Sequence, residues 1–244
     1  LGLPPMVIGK TEPIEIVTYL TNTASLAVDG STSTQWHSVY PGSSGWNNGE
    51  QWLYVDLGVQ CSNIQVKLNW GSAYAKAYQV QVSDDPNAGS SSWTSVAGEA
   101  NNTSAGWKDY TGFTATSRFV RVKMTEPGTT SGYGLIEMQV FGTVLTQQPT
   151  VPSAPTGLAV STYSSTAAAL TWTSPGGATF FRIDRSTDST FQTAVSSTLV
   201  EGNLATWTDA AQTAGTTYYY RIVAGNGGGD SSPSSTVTYV APSN

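Results

Sequence analysis

Short runs in which apolar and polar residues alternate recur along this chain, and they constrain its fold more than any other feature. In the N-terminal part such runs occupy residues 52–57, 64–68, 78–82, 120–124 and 136–140. This alternation is typical of strands with one buried face, and Gly- and Pro-rich turns separate the runs. No long segment keeps a helical period. The sequence therefore predicts an all-β protein.

One segment of the chain marks a domain boundary. The 244 residues exceed the usual size of a single β domain, and residues 147–155 carry three prolines without any periodic pattern. We predict a first domain at 1–143, a linker at 144–154 and a second domain at 155–244. Alternating runs resume after the linker, at the spacing of a seven-stranded sandwich: 157–160, 168–173, 179–184, 206–209, 217–224 and 235–240.

The charge distribution narrows the class of partner. The formal net charge is -6 and the few Lys and Arg are scattered, so the basic patch of a nucleic-acid-binding protein is absent from the sequence. No apolar stretch is long enough to be a transmembrane segment. The polar, Lys-poor composition leads us to expect an extracellular, secreted protein. Because Cys61 is the only cysteine, no intrachain disulfide can form, and we expect a buried, unreactive thiol.

The second half of the chain carries a tyrosine-rich strand. Residues 215–224, together with Leu170-Thr171-Trp172, resemble fibronectin type III modules, and the resemblance extends from about Pro152 to the C-terminus. It implies an immunoglobulin-like β-sandwich in which Tyr218 bonds back to the main chain and Tyr220 faces the core. It also implies that Trp172 packs in that core instead of offering a platform to a ligand. Such modules mostly act as spacers.

An N-terminal loop carries oxygen donors of the kind that hard cations take. Residues 24–36 bring Asp29, a Gly-assisted turn and Thr34 close together in sequence. A second carboxylate, Glu137, lies on the last predicted strand of the first domain. Ca²⁺ takes about six to eight oxygens, main-chain carbonyls included, so the two segments predict a calcium site where the strand closes against the loop. The alternative is that Asp29 and Thr34 only cap a turn.

Several segments of the first domain resemble the discoidin, or coagulation factor V/VIII C-type, superfamily, from about residue 14 to residue 143. The segments are the loop 24–36, residues 51–58 and the terminal strand 134–142, and residues 69–83 and 93–96 are most similar to bacterial family 32 carbohydrate-binding modules. The resemblance implies a jelly-roll β-sandwich with a structural Ca²⁺ ion. Its implied ligands are the side chains of Asp29, Thr34 and Glu137 and main-chain oxygens of Leu26, Ser31 and Ile136.

Family 32 modules occur as appendages of secreted glycoside hydrolases and polysaccharide lyases. The resemblance therefore implies a non-catalytic, monomeric module that is covalently attached to a catalytic domain in its parent protein and binds a polysaccharide or oligosaccharide. A pyranose has an apolar face and a hydroxyl rim, so its site needs exposed aromatic planes beside hydrogen-bonding groups. The candidates lie in loops or at strand ends: His37, Tyr40, Trp46, Asn47, Trp70, Tyr74, Lys76 and Tyr133.

Alternatives stay open at some of these positions. A structural or solvent-exposed role explains His37 as well, and packing explains Trp70 as well. Galactose-binding members of the family usually place an Arg beyond the position of Trp70, and chitosan-binding members often place a Glu where Gly71 stands. This chain matches neither pattern. We therefore expect a neutral polysaccharide, with a glucan preferred.

Two other classes of function compete with carbohydrate binding. An independent hydrolase is disfavoured, because the only adjacent acidic pair, Asp84-Asp85, lies in a turn where it would satisfy local amides, and no nucleophile motif is present. Cell-surface adhesion or phospholipid binding is the alternative known among discoidin domains. Membrane binding needs apolar side chains with basic neighbours, whereas Trp46 is followed by Asn47 and Glu50.

Overall fold

The structure is a computed structural model that describes residues 24–38, 49–86, 91–164, 166–202 and 204–243. The chain divides into two compact units whose main boundary lies between Gln147 and Gln148. The described residues form strands and turns, with a single 3-10 turn at Ala24–Ala27, so the all-β prediction is confirmed. In this described part of the chain, no helix is long and apolar enough to cross a membrane.

The described residues of the first domain form seven strands in one continuous antiparallel sheet. The order across the sheet is first, seventh, second, sixth, third and fourth, and the fifth strand pairs with the second beside this path. Each alternating run predicted for this domain falls inside one of these strands. The strands are β1 (Trp36–His37), β2 (Gln51–Trp70), β3 (Ala75–Ser83), β4 (Thr94–Glu99), β5 (Gly106–Tyr110), β6 (Ser117–Pro127) and β7 (Gly134–Val144).

β2 holds the sheet together because it changes partner along its length. Its first part, Gln51 to Asp56, pairs with β6, whereas its last part, up to Trp70, pairs with β5 on one side and β7 on the other. Gly58 and Asn63 lie between these parts with φ values of 80° and 50°. Positive φ angles and a register shift at this point bend the strand, which lets one strand contribute to both layers of a sandwich.

Alternate side chains of the last part of β2 occupy the centre of the first core. Ile64, Val66, Leu68 and Trp70 are each at most 1% exposed. Burying an aliphatic side chain of this size stabilises the fold by roughly 1.5 to 3 kcal/mol. Cys61 lies in the same cluster, as expected, and burial raises the pKa of its thiol, which keeps the thiol protonated.

A buried ion pair fastens β2 to β6. Arg118 donates from Nε to Asp56 Oδ1 at 2.7 Å and from Nη2 to Asp56 Oδ2 at 2.8 Å. Both side chains are less than a tenth exposed, and Gly58 N–H also donates to Asp56. Asp84, one of the two acidic residues considered for catalysis, accepts the main-chain N–H of Arg118 at 2.9 Å. Asp84 therefore helps to join strands distant in sequence, not only its own turn.

The second domain is a sandwich of two antiparallel sheets. In its five-stranded sheet the order is the eleventh, tenth, thirteenth and fourteenth strands of the chain, with the fifteenth also paired with the thirteenth, and in its three-stranded sheet it is the twelfth, ninth and eighth. Apolar residues of both sheets pack between them, among them Leu170, Ile183 and Ile222. The strands are β8 (Thr156–Ser164), β9 (Ala167–Thr173), β10 (Phe180–Ser186), β11 (Ser196–Glu201), β12 (Thr206–Asp209), β13 (Thr217–Asn226), β14 (Gly229–Asp230) and β15 (Val237–Val240).

The tyrosine-rich strand takes the arrangement that the sequence predicted. Thr213 N–H donates to the Tyr218 hydroxyl at 2.9 Å, which closes the turn before β13 onto that strand. Tyr220 is fully buried, and its hydroxyl donates to Asp209 Oδ2 at 2.7 Å. Trp172 is also buried and contacts Phe181 edge to face. The predicted roles of Tyr218, Tyr220 and Trp172 are confirmed.

Part of the proline-rich segment lies against the second domain. Asn226 Nδ2 donates to the carbonyl of Thr150 at 2.8 Å and to that of Gly177 at 3.0 Å. A side chain at Gly228 would overlap the carbonyl of Pro149. Residues 149–150 are thus fastened to the second sandwich, and the part of the predicted linker that lacks such contacts is correspondingly shorter.

Candidate functional site

The last strand of the first domain carries an acidic side chain that is almost fully buried. Glu137 in β7 is 4% exposed, and the main-chain N–H of Gly30 donates to its carboxylate. The N-terminal loop and β7 therefore meet, as the sequence predicted. Glu137 Oε2 has no hydrogen-bond partner among the described residues. Burial raises the pKa of Glu137 to about 7; the Gly30 N–H opposes this rise, and the nearby Asp29 charge adds to it.

The loop that covers Glu137 is organised by Asp29. Ser31 N–H donates to Asp29 Oδ1 at 2.8 Å, and the Thr34 hydroxyl donates to Asp29 Oδ2 at 2.7 Å. Gly30 has a φ of 78°, a left-handed conformation that suits glycine. These are the bonds of a capped turn, which was the alternative explanation of Asp29 and Thr34. These bonds do not involve Glu137 Oε2, and they do not explain why this buried oxygen has no hydrogen-bond partner among the described residues.

The donor set of this loop fits a hard cation. A buried carboxylate oxygen without a donor is costly unless a positive charge compensates it, and a second carboxylate lies close by. No group of three or more His, Cys, Asp or Glu side chains in the described ranges is arranged to hold a metal. Main-chain and hydroxyl oxygens would therefore have to complete the site, and Ca²⁺ accepts both. Leu26, Ser31 and Ile136 belong to the two segments that meet here.

Three chain segments meet at one end of the same sheet. Gly71 N–H donates to the carbonyl of Gly134 at 2.9 Å, and Gly134 N–H donates to the carbonyl of Ala73 at 2.7 Å. His37 is paired with Gly134 between β1 and β7, and a Cβ on Gly134 would lie 3.4 Å from the His37 ring. A Cβ on Gly71 would lie 2.6 Å from Gln35 Oε1. The side chains of His37 and Gln35 therefore both lie against the main chain of these glycines.

Tyr74 and Lys76 follow the turn that leads from these glycines into β3. The Tyr74 ring is half-buried against the core and lies over Gly128, where any side chain would overlap it. Lys76 Nζ lies 2.6 Å from Glu126 Oε1, and both side chains are exposed, so the charge of Lys76 is balanced locally. We name this region the loop-end surface and define it by four residues: Gln35, His37, Tyr74 and Lys76.

Tyr133 was predicted to present its ring to a sugar, and this prediction is wrong. Tyr133 is fully buried, and burial raises the pKa of its hydroxyl. Its hydroxyl donates to the carbonyl of Gly49, its N–H donates to Ser38 Oγ at 2.9 Å, and its carbonyl accepts Ser38 N–H at 2.8 Å. The flanking glycines suggested exposure, but the ring instead fixes both Ser38 and Gly49.

Trp70 is also unavailable to a ligand, so its assignment to the sugar site is wrong. It is 1% exposed and packs on Tyr78 with ring centroids 4.9 Å apart. Trp70 ends β2 with its side chain on the core side, in line with Leu68 and Val66. Of the two roles open for Trp70 in the sequence, the structure selects packing.

The other candidates differ in what the structure says of them. Tyr40, Trp46 and Asn47 lie outside the described residues, and their roles stay predictions. Sequence reasoning missed Gln35, which directly precedes Trp36-His37 and has no aromatic or charged group to draw attention. Trp107 on β5, which is 46% exposed between half-buried neighbours, lies apart from the loop-end surface and is given no role in it.

The two domains define a class of protein made of non-catalytic β-sandwich modules. A family model for the F5/8 type C domain matches residues 15–138, and one for the fibronectin type III domain matches residues 153–240. The chain therefore belongs to the F5/8 type C, or discoidin, family, with a fibronectin type III domain after the discoidin domain.

Solved structures resemble each domain separately. Chitosan-binding module 1 of a chitosanase/glucanase from Paenibacillus sp. IK-5 is 34% identical over 55% of this chain and 96% of its own, with a TM-score of 0.48. Chitosan-binding module 2 of that enzyme, in complex with chitotriose, is 37% identical over 51% and 89%, with a TM-score of 0.44. An Fn3-like protein from Clostridium thermocellum is 29% identical over 36% and 92%, with a TM-score of 0.33. No curated protein sequence matches the chain.

Proposed function

We propose that this chain is a non-catalytic carbohydrate-binding protein that binds a neutral polysaccharide, with a glucan preferred, at the loop-end surface. The observation that carries the proposal is the grouping of Gln35 and His37 over the backbone of Gly71 and Gly134. The two planar polar side chains lie directly on this backbone, which holds them next to each other, and together they can offer a sugar both donors and acceptors.

The charges at this end of the domain favour a neutral ligand. Lys76 is paired with Glu126 at 2.6 Å, and Lys123 is paired with Glu50 at 3.0 Å. Each positive charge thus already has a negative partner. A cationic or strongly anionic polysaccharide would have to compete with these pairs, whereas the hydroxyls of a glucan would not.

The available contacts predict a weak to moderate affinity. The Gln35 carboxamide is half-buried and has no hydrogen-bond partner among the described residues, so it is free to bind hydroxyls. Each such bond contributes roughly 0.5 to 1.5 kcal/mol, and partial cover of an aromatic ring adds roughly 1 to 2 kcal/mol. After the costs of association, a dissociation constant of about millimolar to micromolar follows.

The same proposal includes a structural Ca²⁺ ion between the N-terminal loop and β7. The side chains of Asp29, Thr34 and Glu137 would hold it, together with main-chain oxygens of Leu26, Ser31 and Ile136. When bound, the ion supplies positive charge to the bare Glu137 oxygen and joins two distant parts of the chain. Support comes from the unpaired Oε2 beside a second carboxylate.

We further propose that the protein is secreted and serves a polysaccharide-degrading enzyme to which it is covalently attached as a monomeric accessory part. The similarity of its first domain to family 32 modules, described from the sequence, supports this role. The second domain would then separate the first from its neighbours in the parent protein.

The test is a binding assay on the complete chain, with calcium present. Isothermal titration with cellohexaose, laminarihexaose, chitosan hexamer and oligogalacturonate compares neutral, cationic and acidic ligands. We expect a neutral glucan to bind, and the double variant Gln35→Ala/His37→Ala to bind it at least about tenfold more weakly. Trp107→Ala is the matched control, because it removes an exposed aromatic on the sheet and should leave binding unchanged.

Other results would contradict the proposal in distinct ways. Loss of binding in Trp107→Ala alone would move the site to β5. Binding to phosphatidylserine vesicles and to no glycan would replace carbohydrate with a lipid surface. Tyr40→Ala and Trp46→Ala test the predictions for these two residues in the same assay.

Calcium binding is tested separately on chelator-treated protein. Titration with CaCl₂ should show one site, which is lost in Glu137→Gln and in Asp29→Asn. Asp109→Asn, an exposed carboxylate paired with Lys67, is the control that should keep the site. An unchanged titration in Glu137→Gln would rule out this location for the ion.

A further inference from the structure

The second domain contains an open cleft of about 300 Å³ to which no role has been given. It lies between the edge strands of the two sheets, β11 and β12, which do not pair with each other. Ile183 and Arg185 of β10 lie directly opposite Thr198 and Ser196 of β11. The cleft is lined mainly by these four residues and by Trp207 and Asp209 of β12.

Arg185 is held in a fixed position at this cleft. Its Nη1 donates to both carboxylate oxygens of Asp209, at 3.1 and 2.9 Å, and to the carbonyl of Ala211 at 2.8 Å. The guanidinium also lies 5.1 Å from the centre of the Tyr218 ring. Asp209 is itself buried and bound by Tyr220. A guanidinium fixed in this way loses little freedom when it binds something else.

These contacts use only one nitrogen of Arg185. Nε and Nη2, which carry three further N–H groups, have no protein partner among the described residues. The charge of Arg185 is already balanced by Asp209, so the cleft offers hydrogen-bond donors without net charge. Ser196 and Thr198 add hydroxyl groups that make no hydrogen bond within the described chain. These donors and hydroxyls around the cleft suit an uncharged polyol better than an anion.

The remaining walls suit one sugar ring. Trp207 is half-buried, with part of its indole in the core and part at the cleft. The part of the indole at the cleft can cover the C–H face of a pyranose, while the donors and hydroxyls around the cleft bind its hydroxyls. A volume of about 300 Å³ is at the lower end of small-molecule sites, which favours a single ring over a larger ligand.

We infer that the fibronectin type III domain carries its own carbohydrate subsite, in which one neutral pyranose unit packs on Trp207 and accepts hydrogen bonds from Arg185. The second domain would then bind the polysaccharide as well as act as a spacer. This site is separate from the loop-end surface, so the inference stands or falls independently of the proposed function.

The test follows Trp207 in the complete chain labelled with 5-fluorotryptophan. Comparison with Trp207→Phe assigns its ¹⁹F resonance, and cellohexaose and laminarihexaose are titrated to about 10 mM. We expect a saturable shift of this resonance with at least one of them. In Arg185→Lys, which keeps a charge for Asp209 but loses the free guanidinium N–H groups, the apparent dissociation constant should rise at least about fivefold.

Arg182→Lys is the matched control, because Arg182 lies on the same strand but pairs with Asp184 and Asp230 instead of lining the cleft. It should leave the titration unchanged. An unmoved Trp207 resonance with both glucans overturns the inference, as does an equal effect of the two Arg variants. A shift with glucuronate but not with the neutral glucans would show an anion site instead. Ligand-induced shifts of the other tryptophans report on the first domain and are read separately.

Discussion

The two domains bury carboxylates in different ways. In the second domain Asp184 is 2% exposed and accepts hydrogen bonds from Arg182, Arg221 and Ser197. In the first domain Glu137 is buried to a similar degree but keeps one oxygen without any partner among the described residues. A buried negative charge can be neutralised by arginines of the same chain or by a bound cation. We therefore expect the first domain, and not the second, to gain stability from a bound ion.

The contrast does not come from a general lack of arginine pairs in the first domain. Asp56 and Arg118 form a bidentate pair that is as well buried as any in the second domain. Among the buried carboxylates in the described part of this domain, only Glu137 has an oxygen without a hydrogen-bond partner. The unpaired Glu137 oxygen is therefore the basis of our proposal that a cation binds here.

The largest effect is expected where an internal pair is turned into a second uncompensated carboxylate. Arg118→Met leaves Asp56 buried without its cation, and we expect the free energy of unfolding of the first domain to fall by about 3 to 5 kcal/mol. Urea unfolding followed by hydrogen-exchange mass spectrometry assigns the loss to one domain. The double variant Arg118→Met/Asp56→Leu should recover much of it. If Arg118→Met lowers the free energy of unfolding by less than about 1 kcal/mol, an unpaired buried carboxylate is not costly in this domain. The missing partner of Glu137 would then give no reason to expect a cation.

Calcium removal is expected to weaken only the first domain. At a calcium concentration about 100 times the dissociation constant, binding to the folded state alone adds about 2.7 kcal/mol, and chelation removes it. Calorimetry with and without EDTA should shift the transition of the first domain and leave that of the second in place. Equal shifts of both transitions, or none, would speak against an ion at Glu137.

The two domains should also respond to pH in opposite directions when calcium is absent. The pKa of Glu137 is raised from its ordinary value of 4.5 to about 7 in the folded state. Between these values the folded state binds more protons than the unfolded one, so the first domain should gain about 3 kcal/mol as pH falls from 8 to about 4.5. Urea titrations in EDTA measure this gain, and Glu137→Gln should abolish it.

In the second domain we expect the opposite pH dependence, with stability falling as the pH falls. Burial alone would raise the pKa of Asp209, but the hydrogen bonds from Tyr220, Ala211 and Arg185 outweigh it and lower that pKa. The stability that Asp209 contributes is present above the ordinary Asp range and is lost as pH falls through the lowered folded value. A second domain that gained stability on acidification would contradict this assignment.

The smallest effects are expected when the same chemical change, a carboxylate to its amide, is made in both domains. In EDTA at neutral pH, Glu137→Gln removes an uncompensated charge and should stabilise the first domain by about 1 kcal/mol. Asp184→Asn removes a charge that two arginines need and should destabilise the second domain by about 1.5 kcal/mol. Chemical unfolding of both variants measures the two changes. Effects of the same sign would mean that pairing does not distinguish Glu137 from Asp184.

The sequence predicted most of the fold because alternation is a local signal. The strands around Val80, Val122 and Val140 were readable from their own neighbours. β11 was not predicted, because the run from Ser196 to Glu201 is polar at its start and lies at a sheet edge. The sequence also did not show that two predicted strands form the single long β2. The bend between them depends on Gly58 and Asn63 and on a change of partner strand.

The candidate site was predicted only where residue type alone decides the chemistry. Asp29, Thr34 and Glu137 carry oxygens whatever their surroundings, and their meeting required only closure of the sheet. Tyr133 and Trp70 were misplaced because exposure of an aromatic ring depends on which face of a strand it occupies and on what lies over it. Local sequence does not contain that information when the covering segment is distant along the chain.

The three bonds of Tyr133 with Ser38 and Gly49 have a consequence for protein engineering. Tyr133 holds both Ser38 and Gly49. The ten residues from 39 to 48 therefore connect two points whose separation the core fixes. Doubling the length of such a connection costs only about 0.6 kcal/mol of closure entropy. Ser38 and Gly49 are therefore anchor points at which foreign sequences could be joined to build a library of new binding specificities on this scaffold.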